Sequence, residues 1–349
     1  MKFSYSSAIG ELQISEAELY IDNQSRGRSG HMTHAMIEYA PGKIIDFNSN
    51  CSAVRLHGHS AFGFIEYRYS EDGGKSWSGS HELPVSKEIL LDGIYSVSME
   101  KAVYNDGVIT GFLLRNTQKE TICCEPWDTS LVVQSRDLGK TWSTPVEFSP
   151  DKGRIYDAVV RDGVIYVIIA CNEHFAVPGT PFKLYTSTDN GLTFQEKSSF
   201  NYGEANGCYN AIIFTDDGAM LSYACNYHDS MKIEVCRSRD LGETWELLPP
   251  VQLSMGLRNI QIARLNGGFV MHGRGCFGAA WGKGEVIYTS KDGYTWDEGL
   301  CMEPEKTSCY YSNMLSLKDG NGKDYVLLQY SDTYFECCVN VMHRFISVK

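Results

Sequence analysis

The sequence predicts an all-β fold, a six-bladed β-propeller of four-stranded antiparallel blades, on three observations. A polar octet of the form Ser-x-Asp-x-Gly-x-Thr-Trp recurs along the 349 residues. A tight glycine turn recurs between paired apolar runs. The interval between repeats matches about four short strands with their hairpins.

The octets are Ser70-Glu71-Asp72-Gly73-Gly74-Lys75-Ser76-Trp77, Ser135-Arg136-Asp137-Leu138-Gly139-Lys140-Thr141-Trp142, Ser187-Thr188-Asp189-Asn190-Gly191-Leu192-Thr193-Phe194 and Ser238-Arg239-Asp240-Leu241-Gly242-Glu243-Thr244-Trp245. A fifth, Ser290-Lys291-Asp292-Gly293-Tyr294-Thr295-Trp296, is one residue shorter, and the five serines stand 65, 52, 51 and 52 residues apart. Each reads as a hairpin turn: the Asp carboxylate accepts backbone N–H groups, Gly supplies positive φ, and Trp covers the turn between neighbouring sheets.

The glycine turns are Pro41-Gly42, Asp106-Gly107, Asp162-Gly163, Asp217-Gly218, Gly267-Gly268 and Asp319-Gly320, which sets the count at six. Each repeat then reads strand, glycine turn, strand, variable loop, strand, octet, strand. The last repeat has no octet, so the N-terminal strands are expected to complete its blade and protect the sheet edges. No Pro-, Gly- or Ser-rich linker divides the chain, and residues 1–349 are expected to form a single domain.

Composition narrows the function. The chain is 43% hydrophobic and carries 31 Lys plus Arg against 43 Asp plus Glu, a formal charge of -12, which repels nucleic acid and anionic membranes. Its longest apolar runs, such as 163–170, are far short of the roughly 20 residues of a spanning helix. The start lacks the apolar core of a secretory signal, and the 12 cysteines are scattered, many in strand-like runs, so a cytoplasmic location is expected. No nucleotide-binding or metal-ligand spacing is present, so neither a cofactor nor a metal is expected.

If the glycine turns and octets face one end of the propeller, the starts of first strands and the ends of second strands gather at the other. Nine residues before each turn glycine stand Thr33, Ser98, Arg154, Tyr209, Arg258 and Tyr311, with His34, Asn210, Asn259 and Ser312 one place later. At the ends of second strands lie Asn48, Arg115, Asn172, Asn226, Arg274 and Gln329. A packed core would not require this polar set. Arg154, Arg258 and Arg274 read either as an anion clamp or as ties between blades. His31, His34, His57 and His59 cluster in or near blade one, and Trp127 and Trp281 lie in loops where they would either stack on a sugar or pack.

The octets are similar to the Asp box, or BNR repeat, of the sialidase-like β-propeller superfamily, and the resemblance spans most of the chain. It implies a propeller with Asp-box turns and a carbohydrate-active enzyme that cleaves the glycosidic bond of an acidic sugar, sialic or uronic, at a chain end. Its partner would be an acidic oligosaccharide, with no nucleic acid and no membrane.

Tyr311-Ser312 resembles the segment that carries the family's nucleophilic tyrosine. By that resemblance Tyr311 is the nucleophile, Tyr209 stands where a glutamate normally assists it, and Arg274 fits a carboxylate-binding arginine. Read from their places at the strand ends and in blade one, Arg154, Arg258, Arg274, Asn210, Asn259, His57 and His59 are the expected binding set, and His31 and His34 join Tyr311 and Tyr209 as the catalytic candidates. A neutral phenol is repelled less by an anionic sugar than a carboxylate nucleophile would be.

The sequence departs from the family where 28–34 reads Arg-Ser-Gly-His-Met-Thr-His in place of Arg-Ile-Pro, and where Cys225 stands in place of an arginine. The 48–59 loop offers no carboxylate as general acid. Tyrosine and histidine proton transfer with arginine neutralisation would instead suit a β-eliminating uronate lyase, and a non-catalytic glycan-binding propeller is the third reading.

Overall fold

The computed structural model describes residues 3–31, 34–58, 62–119, 125–174, 177, 179–203, 207–277, 280–307 and 311–349, the side chains of 57–58, 276–277, 280–282 and 307 excepted. The regular structure of the described chain is strand apart from one helix, Pro84–Leu91, and one 3-10 turn, and the strands form six antiparallel sheets that are the six blades of the propeller. These fall into two compact units of three sheets each.

The unit of residues 27–201 and 336–338 holds the first three blades. Blade one pairs His34–Ala40, Lys43–Ser52, Gly63–Ser70 and His81–Glu82, with Arg28–Ser29 added beside Lys43–Ser52. Blade two runs Tyr95–Asn105, Val108–Thr117, Thr129–Ser135 and Val146–Lys152, and blade three Arg154–Arg161, Val164–Ala170, Phe182–Ser187 and Gln195–Phe200. Period-two alternation packs Ile45, Phe47 and Ile65 of blade one against Val97, Met99 and Leu113 of blade two in one buried cluster. Val103 and Phe112 continue into Ile155, Val167 and Ile169 of blade three.

The other unit comprises residues 1–26, 202–335 and 339–349. Its blades are Gly207–Phe214, Met220–Asn226, Lys232–Ser238 and the short edges Glu246–Leu247 and Val251–Gln252, then Gly256–Leu265, Gly268–Phe277, Ala280–Ser290 and Leu300–Thr307. The last blade joins Ser312–Lys318, Asp324–Phe335 and Cys338–Val348 to the N-terminal strands Phe3–Ser7, Gly10–Ile14 and Glu18–Ile21, as expected. Leu12, Ile14, Val326, Leu328 and Ile346 form its core.

The octets form one repeated turn. The Ser238 hydroxyl accepts from Gly242 N–H at 2.7 Å and the Asp240 carboxylate accepts from Thr244 N–H at 2.9 Å; the same pair recurs at Ser135 and Asp137 with 2.7 and 2.8 Å. Gly139, Gly191, Gly242 and Gly293 all take positive φ, the conformation that selects glycine here. The turns also tie blade to blade. Tyr67 donates to the Gly139 carbonyl at 2.8 Å, Tyr223 donates to the Gly293 carbonyl, and Trp142 packs edge-on against Phe47 and Tyr67. The glycine turns behave as read except the last, where Gly322 rather than Gly320 takes positive φ and the Asp319 carboxylate caps a longer turn. Among the described residues no helix is long and apolar enough to cross a membrane.

Candidate functional site

The first strands of blades two to five each break register near their starts: at Met99 to Lys101, Ile155 to Asp157, Cys208 to Ala211 and Arg258 to Gln261. A bulge inserts residues opposite too few partners, bends the strand and re-aims side chains. In blades four and five it does so at strand-head residues, Tyr209 with Asn210 and Asn259; in blades two and three it falls two residues beyond the heads Ser98 and Arg154. In two blades the inserted residue is forced to positive φ, 54° at Tyr209 and 58° at Asn259. For a tyrosine that is a strained conformation, costing on the order of 1–3 kcal/mol, and such strain persists only where the surroundings over-determine it.

In the unit that holds the chain termini, these bulges bring four predicted residues together. The Arg258 guanidinium lies 5.7 Å from the Tyr209 ring centre and 5.2 Å from that of Tyr227. Tyr209 in turn meets Tyr311 edge-on, ring centres 6.3 Å apart at 71°. Arg274 stands directly opposite Arg258 in the strand pairing. Like charges placed opposite one another across a strand pair repel, and Glu285 stands opposite Arg274 on the next strand.

Asn210, almost fully buried, donates to the Tyr202 hydroxyl at 2.7 Å, and Tyr202 bonds Ser222 at 2.7 Å. Burial pushes the Tyr202 phenol well above its ordinary range, so it stays neutral. The Asn210 amide oxygen has no hydrogen-bond partner among the described residues.

The other unit carries the remaining predicted residues. His31 is fully buried and donates from Nδ1 to the Cys337 carbonyl at 3.1 Å. His34 pairs in register with Asn48, and burial pushes its imidazole down to about 4, so it is neutral at physiological pH. Arg154 forms a two-armed ion pair with Glu100, at 2.6 and 3.2 Å, both side chains only 2% exposed. Trp127 and Tyr156 flank that guanidinium, at 5.6 and 5.3 Å from their ring centres. Trp127 therefore packs rather than offering a face to a sugar: it is 2% exposed. His57 lies in the 3-10 turn Arg55–Gly58 with its side chain outside the described set; His59, Thr33 and the Trp281 side chain also lie outside it.

Sequence reasoning missed Tyr227, one residue beyond the second-strand end at Asn226, and Glu100, the residue displaced by the bulge in blade two. Tyr227 carried a signal in its adjacency to that strand end. Glu100 carried none, because its pairing with Arg154 crosses between blades.

No family model matches the chain, and no curated protein matches it. Solved structures do. A protein of unknown function from Dyadobacter fermentans superimposes with a TM-score of 0.74 at 13% identity, over 97% of this chain and 99% of that one. The Hadza microbial sialidase Hz136 gives 0.71 at 14% identity, over 94% of this chain and 68% of its own. The endosialidase of phage phi92 gives 0.66 at 7% identity, over 93% and 68%. The fold is thus the sialidase-like β-propeller.

Proposed function

We propose that the protein is a carbohydrate-active enzyme that cleaves the glycosidic bond of an acidic sugar, sialic or uronic, from a chain end. The observation that carries this reading is the convergence of Tyr311, Tyr209 and Arg258 in one unit, with Arg274 opposite Arg258. The arginines would hold the sugar carboxylate. Tyr311 would give up its phenol proton as its oxygen bonds the anomeric carbon and the bond to the departing sugar oxygen breaks; that oxygen takes a proton from solvent water. Water then displaces the tyrosine oxygen. The sialidases among the solved structures of the same fold support the substrate class.

One observation favours a second reading. The described ring beside Tyr311 is a phenol, Tyr209, where a carboxylate would assist a nucleophile. Two phenols with a guanidinium suit removal of the proton α to a uronate carboxylate, followed by β-elimination. Incubation with a panel of sialosides and glucuronides separates the two. Hydrolysis releases a reducing sugar without new ultraviolet absorbance, whereas elimination creates an absorbing unsaturated product. Tyr311→Phe should keep the wild-type circular dichroism and lower the rate by about two or more orders of magnitude under either reading. Saturable binding of intact oligosaccharide with no turnover of any panel member would overturn both.

A further inference from the structure

Behind Tyr311 lies a second group of polar side chains that neither reading uses. Ser312, the next residue, places its hydroxyl 2.9 Å from Nδ1 of His272. The other ring nitrogen, Nε2, faces Oε2 of Glu285 at 3.9 Å, about 1 Å beyond a hydrogen bond. Three strands supply them, Ser312–Lys318, Gly268–Phe277 and Ala280–Ser290, and all three side chains are buried. His272 Nε2 and Glu285 Oε2 have no hydrogen-bond partner among the described residues, although the Arg344 guanidinium lies beside Oε2.

We propose that Glu285 and His272 form a buried proton relay ending at Ser312, so that the proton on Glu285 sets the tautomer of His272 and the direction of the hydroxyl next to Tyr311. With Glu285 protonated, its carboxyl donates to Nε2, and the single imidazole proton sits on Nδ1 and is donated to Ser312 Oγ. With Glu285 ionised, Nε2 carries the proton and donates to the carboxylate, while Nδ1 accepts the Ser312 hydroxyl. Between the two states the carboxyl proton moves to Nε2 and the Nδ1 proton leaves through Ser312. One proton is released and nothing is oxidised or reduced.

The surroundings place this change near neutrality. Burial pushes the Glu285 carboxyl up to about 7, although Arg344 opposes it with Nε at 3.4 Å from Oε2. Glu303 adds like charge from Leu300–Thr307 and is itself paired with Arg344 at 3.1 Å. Lys306 of the same strand is held by Asp332 at 2.8 Å, Tyr330 lies beside Glu285, and Arg274 stands opposite it in the pairing. Burial and Arg344 push His272 down to about 3, which keeps the ring neutral while the relay switches. Glu285 and His272 are positioning residues here: they act through Ser312 on the segment that presents Tyr311.

The consequence for Tyr311 rests on the enzymatic reading above; the relay itself does not, and the test separates them. In histidine-labelled protein, long-range 1H–15N correlation spectra from pH 5.5 to 8.5 should show the His272 signals, assigned by their loss in His272→Asn, passing from the Nδ1–H to the Nε2–H form without becoming imidazolium. Glu285→Gln should abolish that passage. A tautomer that does not change with pH, or a ring that charges, overturns the relay whether or not any substrate is turned over. With a turned-over substrate, Ser312→Ala should lower kcat at least tenfold with KM within twofold, and both Ser312→Ala and Glu285→Gln should lose the pH limb near neutrality. A limb that survives in Ser312→Ala overturns the coupling to Tyr311.

Discussion

Arg154 and Arg258 head equivalent strands, yet their surroundings differ. The Arg154 guanidinium is closed between Glu100, Trp127 and Tyr156, with both members of the ion pair out of water. Removing one member of such a pair strands the other charge, so Arg154→Ala should destabilise the fold by about 3–5 kcal/mol. Arg154→Met combined with Glu100→Leu should recover most of that in denaturant titrations, because it removes both charges together. Arg258 instead rests on two tyrosine rings, one of them the part-exposed Tyr227, and faces a second arginine across the strand pair. Arg258→Ala and Arg274→Ala should weaken binding of an acidic sugar. A desolvated charge-assisted contact is worth roughly 2–4 kcal/mol, and calorimetric titration of the Tyr311→Phe protein would measure the loss without turnover. Unchanged affinity in both variants would remove these arginines from the site.

At the scale of the strand, the bulge is the device that re-aims side chains at the head of a packed sheet. Opposite the Arg258–Gln261 bulge sits Gly273, where an added Cβ would lie 2.4 Å from the Arg258 carbonyl oxygen and 2.6 Å from the Leu257 side chain. Backbone cannot yield there, so Gly273→Ala should cost about 1–3 kcal/mol, the usual range for overpacking, and displace Arg258 with it. Its denaturation midpoint should fall, and the remaining folded protein should bind acidic sugar more weakly. These bulges also explain what the sequence reveals and what it hides. Each octet, with each glycine turn, is local chemistry, a carboxylate or a positive φ answered within a few residues, so the blade count and the strand order are legible. A bulge depends on the partner strand. Counting nine residues back from a glycine turn finds Tyr209 and Tyr311, but it cannot foresee the positive φ at Tyr209 or the displacement of Glu100 toward Arg154. The Ser312–His272–Glu285 contact is hidden for the same reason, since three strands from two blades must align before it exists.

Across the whole molecule, the buried titratable groups act on stability with opposite signs. His34 and His272 are pushed down to about 4 and about 3, so the unfolded chain binds their protons first. Their contribution is complete above the unfolded histidine value of about 6.5 and is lost as pH falls from there toward the folded values. The octet carboxylates Asp137 and Asp189, held at about 2 mainly by hydrogen bonds from Thr141 and Thr193, contribute above about pH 4 and fail as pH drops to 2. Glu285 runs the other way. Its folded value of about 7 lies above the unfolded carboxylate range, so the native state holds the extra proton, and stability is lost as pH rises through about 4.3 to 7. Between pH 5 and 6 the two histidines outweigh the one carboxylic acid, and wild-type stability should rise with pH by roughly one proton's worth, about 1.4 kcal/mol per unit at most. Glu285→Gln, which keeps the neutral shape, removes only the opposing group. Its stability should rise more steeply over the same interval, and its advantage over wild type should grow up to about pH 7 and then level off. Chemical denaturation of both proteins at half-unit steps from pH 4.5 to 8 measures the difference; parallel curves would mean that Glu285 is ionised in the folded state throughout.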